Sequence, residues 1–218
     1  MINWIKHILK IIIKSVEWLL SWIFSYKVSK YIEKFNMEVR WYSLKRNFKS
    51  IGENSFIETP AIIKNPKYMI IGKNFKAHTK IRLDAYDEFA GEKFNPQIII
   101  GDNVIINNDC HIGCINKIII GNNVLLASKV YISDHFHGTI SSEELNIPPA
   151  KRKLYFKGAV VIHDNVWIGE NVVIMPNVTI GRNSIIGANS VVTHNVEENS
   201  VIAGVPAKII RENIVWEI

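Results

Sequence analysis

A parallel β-solenoid of triangular cross-section is the fold class predicted for this chain, on three observations. Aliphatic residues recur at every sixth position: Ile100, Ile106 and Ile112, then Ile120, Leu126 and Ile132, then Ile162, Ile168, Ile174, Ile180, Ile186 and Val192. Isoleucine, leucine and valine make up 66 of the 218 residues, so unpatterned placement would fill one such slot in three rather than twelve of twelve. The next slot is often glycine (Gly101, Gly113, Gly121, Gly169, Gly181, Gly187), and the fifth is small or β-branched, as in Val104, Val124, Val166, Val172, Ser184 and Ser190. The fourth slot is repeatedly asparagine (Asn123, Asn165, Asn171, Asn177, Asn183, Asn189), which tolerates the left-handed backbone of a tight corner. A period of six fits neither a helix nor an alternating strand. Three six-residue sides close one coil of about eighteen residues, and each aliphatic side chain stacks on its equivalent one coil away.

Residues 1–50 precede the repeat and differ from it in charge. They hold 10 Lys/Arg against 3 Asp/Glu, whereas the remaining 168 residues hold 16 against 17, so the net charge of +6 belongs to the N-terminal segment. Lys6/His7, Lys10, Lys14, Glu17 and Ser21 form one narrow polar stripe at helical spacing, opposite Trp4, Ile5, Ile8, Leu9, Ile12, Leu19 and Ile23. Those charges argue against a membrane-crossing helix, and no small-residue cleavage site follows to suggest a signal peptide. Residues 27–49 continue the pattern with Tyr31, Phe35, Trp41 and Phe48 among seven basic residues. Two readings stand: the apolar faces bury on the protein or a neighbouring subunit, or residues 1–24 lie in the plane of a membrane with lysines at anionic headgroups.

From residue 51 the units Ile51-Gly52, Ile57, Ile63 and Ile71-Gly72 open a stack of about six coils. Residues 112–120 carry a two-residue excess, and residues 133–161 are an aperiodic excursion. The expected organisation is a basic amphipathic helical segment (1–50), the solenoid (51–205) and a short C-terminal helix (206–218).

Composition narrows the function. With 48% hydrophobic and 21% charged residues the chain is neither disordered nor collagen-like. Two cysteines make no disulfide scaffold and favour a reducing, cytoplasmic compartment. No phosphate-binding glycine loop or nucleic-acid motif occurs. Cys110-His111-Ile112-Gly113-Cys114 looks like a metal site, but the register turns Cys110 inward and Cys114 outward, so no shared ion is expected.

The repeats, closing with Ala203-Gly204-Val205-Pro206-Ala207-Lys208, resemble the hexapeptide-repeat acyltransferases over residues 51–212. The nearest branch resembles the galactoside, maltose and xenobiotic acetyltransferases and the O-acetyltransferases of bacterial surface polysaccharides. The resemblance implies a mainly β, left-handed parallel β-helix, an exception to right-handed crossovers. It also implies a homotrimer, with acetyl-CoA in the cleft between neighbouring β-helices, no metal, and a sugar hydroxyl as acetyl acceptor. The family's general base is a histidine on the excursion, a role that imidazole fills near neutral pH.

By position that base is His135, with His137 as the alternative, in Ser133-Asp134-His135-Phe136-His137. Asn107 matches an active-site asparagine that holds the acceptor or the developing oxyanion. Gly169 and Gly187-Ala188 match the coil edge along which the pantetheine arm runs, with Trp167 beside it, while Lys208 and Arg211 match basic residues that meet the nucleotide phosphates. Ile115 stands where the galactoside enzymes carry an acidic acceptor contact, so their sugar preference does not transfer. Three alternatives remain open: N-acetylation of an amino sugar, a non-catalytic β-helix, and a metal-dependent carbonic anhydrase-like enzyme using His135 and His137. If residues 1–24 touch a membrane, the location becomes peripheral on its inner face.

Overall fold

The computed structural model describes residues 2–139 and 141–214. The chain forms two compact units, Met1–Tyr42 and Ser43–Ile218. The first holds helix α1 (Ile2–Ile23) and most of α2 (Tyr26–Lys45). On α1 the apolar side chains of Trp4, Ile5, Leu9, Ile12, Leu19 and Ile23 are 50–69% exposed in the single chain. Ser15 turns its hydroxyl onto the Ile11 carbonyl, 3.0 Å away, so it adds little polarity to the apolar arc. Among the described residues no helix is long and apolar enough to cross a membrane.

The second unit is a left-handed β-helix with three parallel faces. The first face stacks Ser50–Ile51, Met69–Ile71, Gln97–Ile100, Lys117–Ile120, Val160–Ile162 and Thr179–Ile180. The second stacks Phe56–Ile57, Lys76–Ala77, Ile105–Ile106, Leu125–Leu126, Trp167–Ile168, Ile185–Ile186 and Val201–Gly204. The third stacks Ile62–Lys64, Arg82–Ala85, His111–Cys114, Tyr131–Ser133, Val173–Ile174 and Val191–Val192. Among the described residues this makes six coils and part of a seventh. All twelve aliphatic residues of the six-residue pattern are at most 1% exposed. Each fills the prism against its equivalents above and below, and burying one such side chain contributes about 1.5–3 kcal/mol.

The corners are built as the asparagine pattern predicts. Asn54, Asn74, Asn103, Asn123, Asn165, Asn183 and Asn199 all have φ between 55° and 59°. Their side-chain amides form one continuous ladder along the edge, each Nδ2 donating to the next Oδ1 over 2.9–3.3 Å. One residue type thus supplies both the backbone conformation and the coil-to-coil bond.

Two expectations are corrected. After Pro206 the chain makes no helix in the described residues: Ala207–Arg211 is a strand, antiparallel to Val201–Gly204. Gly204, at φ 106°, begins the reversal, and Gly204 pairs with Ala207. The returning strand covers the open edge of the second face, whose backbone groups need partners, and β-branched Ile209 and Ile210 suit it. Residues 215–218 of the expected helix lie outside the described residues. Cys114, expected to point outward, is fully buried. The two extra residues widen the corner after Ile112, and the thiol turns in to donate to Asp134 Oδ2 at 3.3 Å.

Two excursions leave the prism after strands of the third face. Residues 133–161 begin with the strand His135–His137, paired antiparallel with Leu154–Phe156. A second excursion, invisible in the six-residue pattern, carries the hairpin Glu88–Phe89/Glu92–Lys93. The two meet: Phe89 stands edge-to-face on His137 with centroids 5.2 Å apart, and Lys153 pairs with Glu92.

Candidate active site

The site grows from the point where the fourth coil loses its periodicity. Ile132 is the last inward residue, and Ser133-Asp134 turns the chain off the third face. Asp134 is 0% exposed. It accepts backbone N–H bonds from Ile115, Asn116 and Lys117 over 2.8–3.2 Å and a bond from the Cys114 thiol. Its Oδ1 lies 2.8 Å from His135 Nδ1. Burial alone would raise the Asp134 pKa, but the His135 contact and these backbone donors hold it below the usual carboxylate range. An ionised Asp134 can only accept, so Nδ1 of His135 is the donor in this contact, and in the neutral imidazole the lone pair then falls on Nε2. Ser133 Oγ completes the clamp, accepting from the His135 backbone N–H at 3.2 Å.

Beside this pair the third face carries a second polar cluster. Asp84 is 1% exposed and is approached by Arg82 Nε, by the Tyr86 hydroxyl at 3.0 Å and by His111 Nε2 at 3.2 Å. The Tyr86 ring stands edge-to-face against His135, with centroids 5.9 Å apart. Burial, then the neighbouring Arg82 charge, lowers the His111 pKa despite Asp84.

The other expected residues lie elsewhere on the prism. His137 is exposed on the excursion strand, against Phe89. Asn107 follows Ile106 at the corner between the second and third faces, and its Nδ2 donates to the Leu126 carbonyl of the next coil at 3.1 Å. Gly169 and Gly187-Ala188 continue the same corner, while Trp167 faces outward on the second face, 49% exposed. Lys208 and Arg211 are exposed on the returning strand. His135 leaves from the other end of the third face, so within one chain these residues and His135 belong to different corners.

The two edge glycines also have a reason internal to the coil. A Cβ on Gly169 would come within 2.6 Å of the Ala188 backbone nitrogen, and one on Gly187 within 2.8 Å of the Ala203 Cβ. Their own N–H groups already bond to Ile186 and Ile202 carbonyls, both at 2.8 Å. Close stacking therefore requires small residues here whatever binds outside.

Sequence reasoning missed Asp84, Tyr86 and the role of Asp134, and weighed His111 only as part of a metal site. A signal existed: Asp84 stands directly after inward Leu83, the slot that glycine holds in many other units, and Asp134 directly precedes the histidine. Tyr86 carried none, because it reaches the site only through the turn into the second excursion. Among the described residues no group of three or more His, Cys, Asp or Glu side chains is arranged to hold a metal ion.

Comparison with known proteins agrees with this architecture. The family model described as bacterial transferase hexapeptide (six repeats) matches residues 159–194. A protein of Escherichia coli (strain K12), provisionally named the lipopolysaccharide biosynthesis O-acetyl transferase WbbJ, is 42% identical over 74% of this chain and 82% of its own length. A galactoside acetyltransferase solved in complex with coenzyme A is 33% identical over 78% of this chain and 67% of its own, with a TM-score of 0.50. An N-acyltransferase from Bacillus cereus, AntD, solved with dTDP and coenzyme A, superposes with a TM-score of 0.62 over 79% of this chain and 89% of its own. At 23% identity that last likeness concerns the fold alone.

Proposed function

Because the chain belongs to the hexapeptide-repeat transferases, acyltransferases that use a coenzyme A thioester, we propose that it moves acetyl from acetyl-CoA to a hydroxyl of a sugar, in surface polysaccharide biosynthesis. The Asp134–His135 pair carries this reading. His135 Nε2 takes the acceptor's hydroxyl proton as the oxygen bonds to the thioester carbonyl carbon. The imidazolium, stabilised by ionised Asp134, returns that proton to sulfur as the C–S bond breaks. The products are the acetyl ester and free coenzyme A, and no covalent enzyme intermediate or metal takes part. The name of the 42% identical relative supports the glycan acceptor.

The donor side fits the second face. Trp167, with Leu125 and Ile105 below it in the same outward column, offers an apolar wall, and Lys208 and Arg211 on the same sheet offer charge to phosphates. Asn107 would hold the acceptor or the oxyanion. Since these residues and His135 occupy different corners of one chain, we read the complete site as shared between neighbouring subunits of a homotrimer. Helix α1, with its lysine stripe and broad apolar arc, would hold the enzyme peripherally on an anionic inner membrane face near lipid-linked acceptors.

Thiol release from acetyl-CoA tests the chemistry across a panel of methyl glycosides and amino sugars. His135→Ala should lower kcat by roughly 10²–10⁴. Near-normal turnover in that variant, with loss in His137→Ala, would move the base to His137. Preferred transfer to amines would replace O-acetylation by N-acetylation. Flotation of the full chain with anionic liposomes, against the double variant Ile12→Glu, Leu19→Glu, tests the membrane contact; equal flotation of both would remove it.

A further inference from the structure

Two Asp–His pairs converge on one glycine. Gly113 is the strand partner of both Asp84 and Ser133, so it lies between the Asp84–His111 cluster and the start of the Asp134–His135 turn. Most repeat glycines are demanded by stacking: at Gly101, Gly121 and Gly169 a Cβ would come within 2.6–2.9 Å of backbone in the adjoining coil. Gly113 is different. A Cβ there would meet only side chains at ordinary contact distance: His111 Nε2 at 3.6 Å, His135 Cε1 at 3.6 Å and Tyr86 Cε2 at 4.0 Å. The fold could accept alanine here, so the missing methyl leaves a small space bounded by two imidazoles and a phenol ring.

The chemistry of that space is specific. On one side is His135, which presents Cε1 to the methyl position; its Nε2 lies at 4.0 Å or beyond, so a hydroxyl reaches it from the outer part of the space. On the other is His111, whose Nε2 is tied to buried Asp84, which keeps the proton on that nitrogen. We propose that the space over Gly113 seats the acceptor's reacting hydroxyl, with the Asp84–His111 pair as its positioning group. His135 accepts the hydroxyl proton, and the His111 Nε2–H, shared with Asp84, donates to the hydroxyl oxygen.

The surrounding charge selects a neutral acceptor. Arg82 neutralises Asp84, Asp134 is taken up by His135 and backbone donors, and Lys64 sits 4.4 Å over the Tyr86 ring. Among the described residues an ammonium group would find no unpaired carboxylate here and two cations nearby, Arg82 and Lys64; an alcohol meets one acceptor and one donor. The seat thus favours O-transfer over N-transfer.

This inference rests on the reading of His135 as base, and the experiment separates the two. In the full chain, transfer to the methyl glycoside most used in the panel above and to glucosamine is followed by thiol release for wild type, Gly113→Ala, His111→Gln and His135→Ala. Gly113→Ala should keep its melting temperature within about 2 °C. It should raise the acceptor KM at least about tenfold while the acetyl-CoA KM stays within about twofold, and His111→Gln should do the same. Ring-nitrogen NMR of the wild type should find the neutral-pH proton on Nε2 of His111 and on Nδ1 of His135, whatever the acceptor. If His135→Ala abolishes transfer but Gly113→Ala leaves the acceptor KM within about twofold, the seat is wrong and the base stands. A His111 proton on Nδ1, or an amine used better than an alcohol, also overturns the seat. Retained turnover in His135→Ala overturns the base itself.

Discussion

Asp134 and His135 are consecutive in the chain, yet their side chains meet: Oδ1 of Asp134 lies 2.8 Å from Nδ1 of His135. Neighbouring residues of a strand point to opposite sides, so the contact exists only because the backbone turns off the prism at Ser133-Asp134. The carboxylate is anchored by three backbone N–H groups of the coil corner and the imidazole by the carboxylate, which transmits the rigidity of the solenoid to Nε2.

Asp134→Asn tests that transmission. Asparagine keeps the shape, but its amide no longer compels Nδ1 to hold the proton and cannot stabilise an imidazolium. The expected outcome is a fall in kcat of roughly 10²-fold or more with the acetyl-CoA KM little changed, read by steady-state thiol release. A kcat within a few-fold of wild type would assign Asp134 a purely structural role.

Stability should depend on acid in a predictable direction. The Asp134 pKa is lowered in the fold, so its contribution is complete above the unfolded carboxylate value of about 3.9 and is lost as pH falls through the folded value. His111, a base with a lowered pKa, binds its proton more readily in the unfolded chain, so stability also falls as pH drops through about 6.5. Urea midpoints should decline below about pH 6.5 and more steeply below about 4, and His111→Gln should flatten the upper step. A midpoint constant between pH 7 and 5 in the wild type would contradict the His111 part.

The asparagine ladder separates backbone conformation from hydrogen bonding. Asn103 has φ 57° and bonds to Asn74 at 2.9 Å and to Asn123 at 3.0 Å. Asn103→Ala should cost about 1–3 kcal/mol in denaturant unfolding, having lost both bonds and the tolerance for positive φ. Asn103→Gly loses only the bonds and should recover roughly 1 kcal/mol of that. Equal losses would mean that the backbone conformation contributes nothing at this corner.

Gly169→Ala should be destabilising through packing. The added methyl would lie 2.6 Å from the backbone of the next coil, which cannot move independently of its own ladder. A cost of about 1–3 kcal/mol is expected, read as a lowered melting temperature even without ligand. A melting temperature equal to wild type would show that the corner can open and return Gly169 to a role in ligand approach alone.

The repeat was legible because each coil repeats the same local problem. A six-residue side needs one aliphatic residue inside, a small residue where coils touch and a residue that accepts positive φ at the corner, and Ile168, Gly169 and Asn171 answer it in order. Such requirements are met within a few residues, so they leave a period in the chain. The excursion was legible for a related reason, starting where the period stops, while His135 and His137 on it were singled out by the family resemblance. The C-terminal segment was misread because its conformation answers to the open sheet edge left by Val201–Gly204, not to its own spacing.

By itself the sequence determined the solenoid, its corners, the excursion 133–161 and the histidines on it, since these follow from local spacing and side-chain volume. Only the tertiary structure decided that Asp84, Tyr86, His111 and His135 surround Gly113, that Asp134 serves His135, and that a second excursion meets the first. Those contacts join positions separated by a coil and its insertions, 27 residues between Asp84 and His111 alone. Chain separation of that kind has no signature in a six-residue period; it is set when stacking brings successive coils into register.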